Sequence, residues 1–141
     1  MIETEIVTDF IMANIAMDST IETLLGGSNL VFDQGGRLPV NGPCIVFQPQ
    51  APLMDTNGQA GVRIMSIGLY IVRAIVPGSS FIPARPIANR IDTLLQLARG
   101  STIDGDVYAM VREEPYRMAE DLNGQSFRHL GGVYRVFVRS N

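Results

Sequence analysis

The stretch Val62-Arg63-Ile64-Met65-Ser66-Ile67-Gly68-Leu69-Tyr70-Ile71-Val72-Arg73-Ala74-Ile75-Val76 reads as one long β segment. At ~3.3 Å per residue it would span roughly 50 Å if continuous, so a bend or bulge is expected near Gly68. Side chains alternate across a strand. Val62, Ile64, Tyr70, Val72, Ala74 and Val76 share one face; Arg63, Met65, Ile67, Leu69, Ile71, Arg73 and Ile75 share the other. Both faces are apolar through the middle. A half-solvated antiparallel strand needs one polar face, so this one requires cover on both sides.

Working outward, residues 4–14 predict a helix, with Ile6, Val7, Phe10, Ile11 and Asn14 on one stripe and Thr4 as N-cap. A short second helix follows, with Ser19 and Glu22 spaced as a capping box and Gly26-Gly27 as its stop. Residues 30–32 and 44–47 are short strands, separated by a Gly/Pro/Asn-rich loop at 35–43; a second loop covers 49–61. Pro86 opens a third helix whose stripe is Ile87, Ile91, Leu94, Leu95 and Ala98, with Arg99 in its last turn and Gly100 ending it. Strands at 107–113 and 127–138 close the chain, joined by the acidic stretch 113–121 and an Asn123-Gly124 turn. The order is α-α-β-β-β-α-β-β. The expected fold is α+β, one domain over residues 1–141: a mostly antiparallel sheet with two to three helices packed on one face.

Three helices barely cover one face of such a sheet. The second face either curls on itself into a partial barrel or packs on a neighbouring subunit. The last strand adds to the problem. Leu130, Tyr134, Val136 and Val138 share one of its faces, and Phe127, Val133 and Phe137 the other. Burial against a neighbour is the favoured reading.

Composition excludes several function classes. Cys44 and His129 are the single cysteine and histidine, so an internal disulfide and a multi-cysteine metal site are ruled out. The net charge of -3 argues against a broad phosphate-binding surface. All 11 basic residues are arginine, which suits interfaces but also follows from GC-rich codon usage. No apolar run reaches the ~18 residues of a membrane helix, and the acidic start Met1-Ile2-Glu3-Thr4-Glu5 is no export signal, so folding in the cytoplasm is expected. His129 lacks a nucleophile elbow or second histidine, Cys44 sits in an apolar strand, and Asp104-Gly105-Asp106 reads as a turn with positive φ at its glycine rather than a cation site. Gly131-Gly132 reads as a bulge. No catalytic, metal-ligating or cofactor-binding residue is assigned.

The mid-chain helix Ile87-Ala88-Asn89-Arg90-Ile91-Asp92-Thr93-Leu94-Leu95 and the closing strand Arg128-His129-Leu130-Gly131-Gly132-Val133-Tyr134-Arg135-Val136-Phe137-Val138 stand in a layout of characteristic length. Across nearly the whole chain this layout resembles the small tail-terminator and tail-completion (head-tail joining) proteins of long-tailed phages. The resemblance implies a structural, non-enzymatic virion protein of the tail-neck region, assembled in the host cytoplasm without cofactors. It implies a homo-oligomeric ring, typically a hexamer, that caps the tail tube and meets the head connector or head-closure protein. DNA would only pass through the lumen, and no membrane is involved.

On that footing Ile67, Leu69, Ile71, Arg73, Phe127, Arg128, His129, Arg135, Phe137 and Arg139 are candidate subunit-interface residues. Arg37, Leu38, Leu53, Met54 and Asp55, in the two loops, are candidates for contact with axial partners. Arg128, Arg135 and Arg139 are expected to face Glu3, Glu5 and Asp9 of a neighbour, in pairs worth ~0–1 kcal/mol each. Two alternatives stand beside this: another neck, head-closure or minor tail subunit, and a small-molecule binding module lined by Tyr70, Tyr108 and Tyr134.

Overall fold

The computed structural model describes residues 2–33, 42–61 and 63–141. Its elements are α1 (Ile2–Ile15), α2 (Ser19–Leu25), β1 (Val31–Asp33), β2 (Cys44–Pro49), β3 (Met54–Asn57), β4 (Arg63–Pro77), α3 (Arg85–Leu95), β5 (Gly100–Ser101), β6 (Gly105–Leu122) and β7 (Gln125–Ser140). The strands form a seven-stranded sheet in the order β1-β2-β4-β7-β6-β5, with β3 also paired to β4. All pairings are antiparallel except β1 with β2. The expected α+β architecture is the one observed, with the short strands β3 and β5 added to it.

Strand β4 organises the sheet. On one edge it pairs without a break to β7, from Ser66↔Val138 to Pro77↔Phe127. Its other edge is shared: β2 takes residues 70–75 and β3 takes residues 63–67. No bulge interrupts β4 at Gly68. That glycine lies where β2 gives way to β3, and a Cβ there would come within 3.0 Å of the Leu53 side chain. The irregularities fall instead at Ile64 of β4, which is the extra residue opposite Thr56 and Asn57 of β3, and in β6 at 107–109 and 112–114. Bulges sharpen local twist, and the sheet is correspondingly curled.

The helix-facing side of the sheet is a closed core. Tyr70, Val72, Ala74 and Val76 of β4 are at most 2% exposed. They meet Ile45 and Phe47 of β2, Tyr134, Val136 and Val138 of β7, and Ile6, Ile11, Ile87, Ile91 and Leu95 from the helices. Each such side chain contributes ~1.5–3 kcal/mol by leaving water. The stripe Ile87, Ile91, Leu95 is the predicted one, but α3 ends at Leu95 rather than near Gly100. Leu97 adopts φ 61°, and its N–H donates to the Met110 carbonyl at 2.7 Å. Ala98 then accepts from Met110 N–H at 3.1 Å, so the sheet edge captures the chain before a further helical turn forms.

Caps also differ from the sequence expectation. Thr4 lies inside α1, which begins at Ile2. Asp18, not Ser19, caps α2: its carboxylate accepts from Ile21 N–H at 3.0 Å. The same carboxylate takes a two-pronged bond from Arg90 of α3, Nε at 3.0 Å and the terminal nitrogen at 2.8 Å. Gly26 ends α2 at φ 78° as expected. One carboxylate thus starts α2 and anchors it to α3.

The acidic stretch 113–121, expected as a connection, is strand. β6 continues to Leu122 and turns through Asn123 (φ 52°) and Gly124 (φ 77°), the two-residue turn anticipated. Its charges are compatible with a strand because this half of β6 is a sheet edge among the described residues, where Pro115 needs no ladder donor. Gly131 and Gly132 are in register rather than bulged. A Cβ at Gly131 would lie 2.1 Å from the Val72 carbonyl oxygen, and one at Gly105 2.2 Å from that of Arg139. Close backbone approach, not positive φ, explains both.

Two outcomes follow. Gly131→Ala should destabilise by about 1–3 kcal/mol or more in denaturant titration, and Gly132→Ala by less, since its nearest neighbour is the Tyr134 ring at 3.0 Å. The Arg90 guanidinium holds the Asp18 carboxyl below its ordinary value, against a smaller opposing effect of burial. A depressed folded-state pKa gives stability that is present above the unfolded carboxylate value and lost as pH falls through the folded one. Asp18→Asn, which keeps a capping side chain, should therefore flatten the loss of stability below about pH 4, and Asp18→Ala should cost about 1 kcal/mol more for the cap.

Candidate assembly surface

Among the described residues no helix covers the second side of the sheet, which is built from the odd-numbered residues of β4 and β7. Cross-strand register places Cys44, Val46 and Gln48 of β2 beside Ile75, Arg73 and Ile71 of β4. These in turn flank His129, Gly131 and Val133 of β7, and then Met118, Tyr116 and Glu114 of β6. Ile67, Leu69, Ile71, Arg73, Phe127, His129, Arg135 and Phe137 therefore share this side. Arg128 sits on the opposite one, its guanidinium 5.7 Å from the Phe81 ring. Arg139, exposed, pairs in register with Asp106 near the end of β7.

The two halves of this side behave differently. In the half holding residues 71–75 of β4, Cys44, Val46, Ile71, Ile75, Phe127, His129 and Val133 are each at most 8% exposed. Leu30 and Phe32 pack over a small second cluster of Cys44, Val46, Ile75 and Phe127. The long side chains of Arg73, Met118 and Glu120 stand around it, half-buried. Here the curled sheet hides its own face. The other half stays open: Ile67, Leu69 and Phe137 remain partly exposed, and Met54 of β3 is 75% exposed. A groove of about 310 Å³ runs there, lined by Pro52, Met54, Ile67, Gly68, Leu69 and Arg135 among others.

The self-covered half contains a polar network. Arg73 Nε donates to His129 Nδ1 at 3.1 Å, and a terminal guanidinium nitrogen reaches Gln48 Oε1 at 3.5 Å. An accepting Nδ1 puts the imidazole proton on Nε2. Glu120 Oε1 lies 3.4 Å from that nitrogen, close enough for charge to be felt but not aligned as a hydrogen bond. Arg73 also stands 5.7 Å from the Tyr116 ring. Burial, then the Arg73 charge, hold His129 below the usual imidazole range, while Glu120 opposes them. Burial pushes the Cys44 thiol up to about 11, which leaves it a protonated core group. Among the described residues no three His, Cys, Asp or Glu side chains converge as metal ligands.

Several expected roles are relocated by these contacts. Arg135 bonds Glu113 of its own chain, the residue extruded by the second β6 bulge. Glu3 is 4% exposed and accepts from Ser140 Oγ at 3.1 Å, so it is held within the chain rather than presented to a neighbour. Met54 and Asp55 belong to β3 rather than a loop, and Asp55 accepts from Ser66 Oγ at 2.6 Å. Leu53 packs on Gly68. Arg37 and Leu38 lie outside the described residues. Tyr70 and Tyr134 are core residues, the latter donating to Asp92 Oδ1 at 2.9 Å, whereas Tyr108 is exposed; the three line no common cavity. Tyr116 and Glu120 were missed as members of the surface because reading 113–121 as a connection hid their register with β7, and Gln48 because that strand was expected to end at residue 47.

No protein-family model matches the chain, and no curated protein matches it. Among solved structures, a chain of the structure described as "Virion of native gene transfer agent (GTA) particle" superposes with a TM-score of 0.77 at 15% identity. The match covers 99% of this chain and 98% of that one. This chain therefore has, from end to end, the fold of a chain in that particle.

Proposed function

We propose that the protein is a structural subunit of a phage-like virion, and within it a tail terminator: a ring-forming protein that caps the tail tube and joins it to the head connector. The observation that carries this reading is the end-to-end likeness to a chain of a gene transfer agent virion, with nearly equal coverage of both chains. A fold shared over 99% of this chain and 98% of that one fits a subunit of the same kind of assembly. The open strip of Ile67, Leu69 and Phe137 beside the exposed β3 supports it, because an apolar strip that the described residues leave partly exposed is a natural seat for a neighbour. Met54 lines the groove beside that strip, where an axial partner would meet it.

A head-to-tail contact closes into a ring when its rotation divides the circle. In this reading the interface takes the open half of the second side, with Arg139 at its edge, while the covered half around Arg73, His129 and Phe127 supports it from beneath. The role is structural, and the lumen of an acidic subunit lets DNA pass without holding it.

Light scattering at micromolar concentration, and electron microscopy with purified tail tubes, test the proposal. The expected result is a ring, free in solution or seated on tube ends. Phe137→Glu should abolish it while leaving the circular dichroism of the folded chain intact. A protein that stays monomeric and also ignores tube ends overturns the proposal, and binding to head connectors but never to tubes would move it to a head-closure role.

A further inference from the structure

The covered half of the second side holds a buried histidine between a cation and an anion, and neither the fold nor the assembly role accounts for it. His129 is 2% exposed, in the middle of β7. Arg73, two residues from its cross-strand partner Ile75, donates to its Nδ1 at 3.1 Å. Glu120, on the far strand of the β6–β7 hairpin, lies 3.4 Å from Nε2. Among the described residues, the titratable groups facing the imidazole are Arg73 from β4, Cys44 from β2, and Tyr116 and Glu120 from β6. Burial keeps Cys44 protonated, and the charges that act on the imidazole are those of Arg73 and Glu120.

We propose that His129 is a pH-operated clasp: neutral, it fastens the distal half of the β6–β7 hairpin across the second face of the sheet, and on protonation it lets that half loosen. The neutral ring accepts the bond from Arg73 on its β4 side, and its Nε2 faces the Glu120 carboxylate on the β6 side without an aligned bond. Adding a proton turns Nδ1 into a donor aimed at the donor Nε of Arg73. That bond is lost and two cations are left 3.1 Å apart in a dry site. Arg73 has no second acceptor to retreat to, since one of its terminal nitrogens is buried without a partner and the other reaches only Gln48 at 3.5 Å. Glu120 attracts the new charge, but its side chain is 37% exposed and screened, so it offsets less than Arg73 and burial oppose. The holding of His129 below the usual imidazole range is the same balance seen in equilibrium.

The sign follows. The unfolded chain takes up this proton at a higher pH than the folded one, so stability from the clasp is full above about pH 6.5 and declines as pH falls through the folded value. With a single histidine in the chain, a transition in this range has one source among the side chains of ordinary pKa.

Hydrogen exchange on the full chain at about pH 7.5 and 5.5, corrected for intrinsic rates, is the test. Amides of residues 113–128 should lose about tenfold more protection on acidification than those of β2 and α3, and His129→Gln should abolish that difference. Unchanged or increased protection at the lower pH overturns the clasp, as does the same pH response in His129→Gln. Should that variant fail to fold, Glu120→Gln decides. Removing the facing carboxylate must move the midpoint of loosening, and of the imidazole titration followed by NMR, to lower pH; an unmoved or raised midpoint refutes the proposal.

Discussion

Two-sided burial of a single strand is the constraint on which the rest of this protein depends. β4 is paired on both edges and apolar on both faces along residues 67–76, so everything around it is arranged to keep water away. α1, α2 and α3 close one face completely, with Tyr70, Val72 and Ala74 showing no exposure. Among the described residues the second face has no helix to use. It is closed where the sheet curls and where long side chains fold over it, and left open where β3 replaces β2 beside Gly68.

The polar groups around that strand serve the same end. Asp18 couples a helix cap to an inter-helix pair, so α2 and α3 are fixed to each other directly and not only through the sheet. Tyr134 carries its hydroxyl out of the core to Asp92 of α3, which satisfies a buried donor and fixes the helix over β7. On the other face Arg73 is the costly element. It places a guanidinium over apolar neighbours and relies on a neutral imidazole, an amide oxygen and an aromatic ring rather than on a direct carboxylate partner. A charge held that way makes the covered half sensitive to its surroundings, while the open half presents Ile67, Leu69 and Phe137 for packing. Stability thus draws on the covered half, and the proposed assembly on the open one.

Periodicity alone was enough for the elements whose signal is local. The 3.6-residue stripe of Ile87, Ile91 and Leu95, the alternation of residues 66–76, the Gly26 stop and the Asn123-Gly124 turn could all be read directly, because each depends on neighbours within a few positions. Where tertiary pairing overrode local preference, reading failed. α3 stops at Leu95 because the edge of β6 captures Leu97 and Ala98, and residues 113–121 are strand because β7 pairs with them despite their charge and Pro115. The glycines illustrate the same limit: Gly105 and Gly131 look like turn and bulge residues, yet they are there because a facing carbonyl leaves no room for a Cβ.

By itself, then, the sequence determined that this chain would make an α+β sheet with one strand too apolar for solvent on either side, and that it held no local pattern of catalytic residues. Hydrophobic alternation is a property of the chain, so that much is written along it. Which parts of the second face are covered, which residues meet His129, and where the open groove lies were decided only by tertiary structure. They depend on strand register, on two bulges in β6 and on the handover from β2 to β3 at Gly68. A one-residue change in any of these would move every side chain to the other face, and no local signal specifies them.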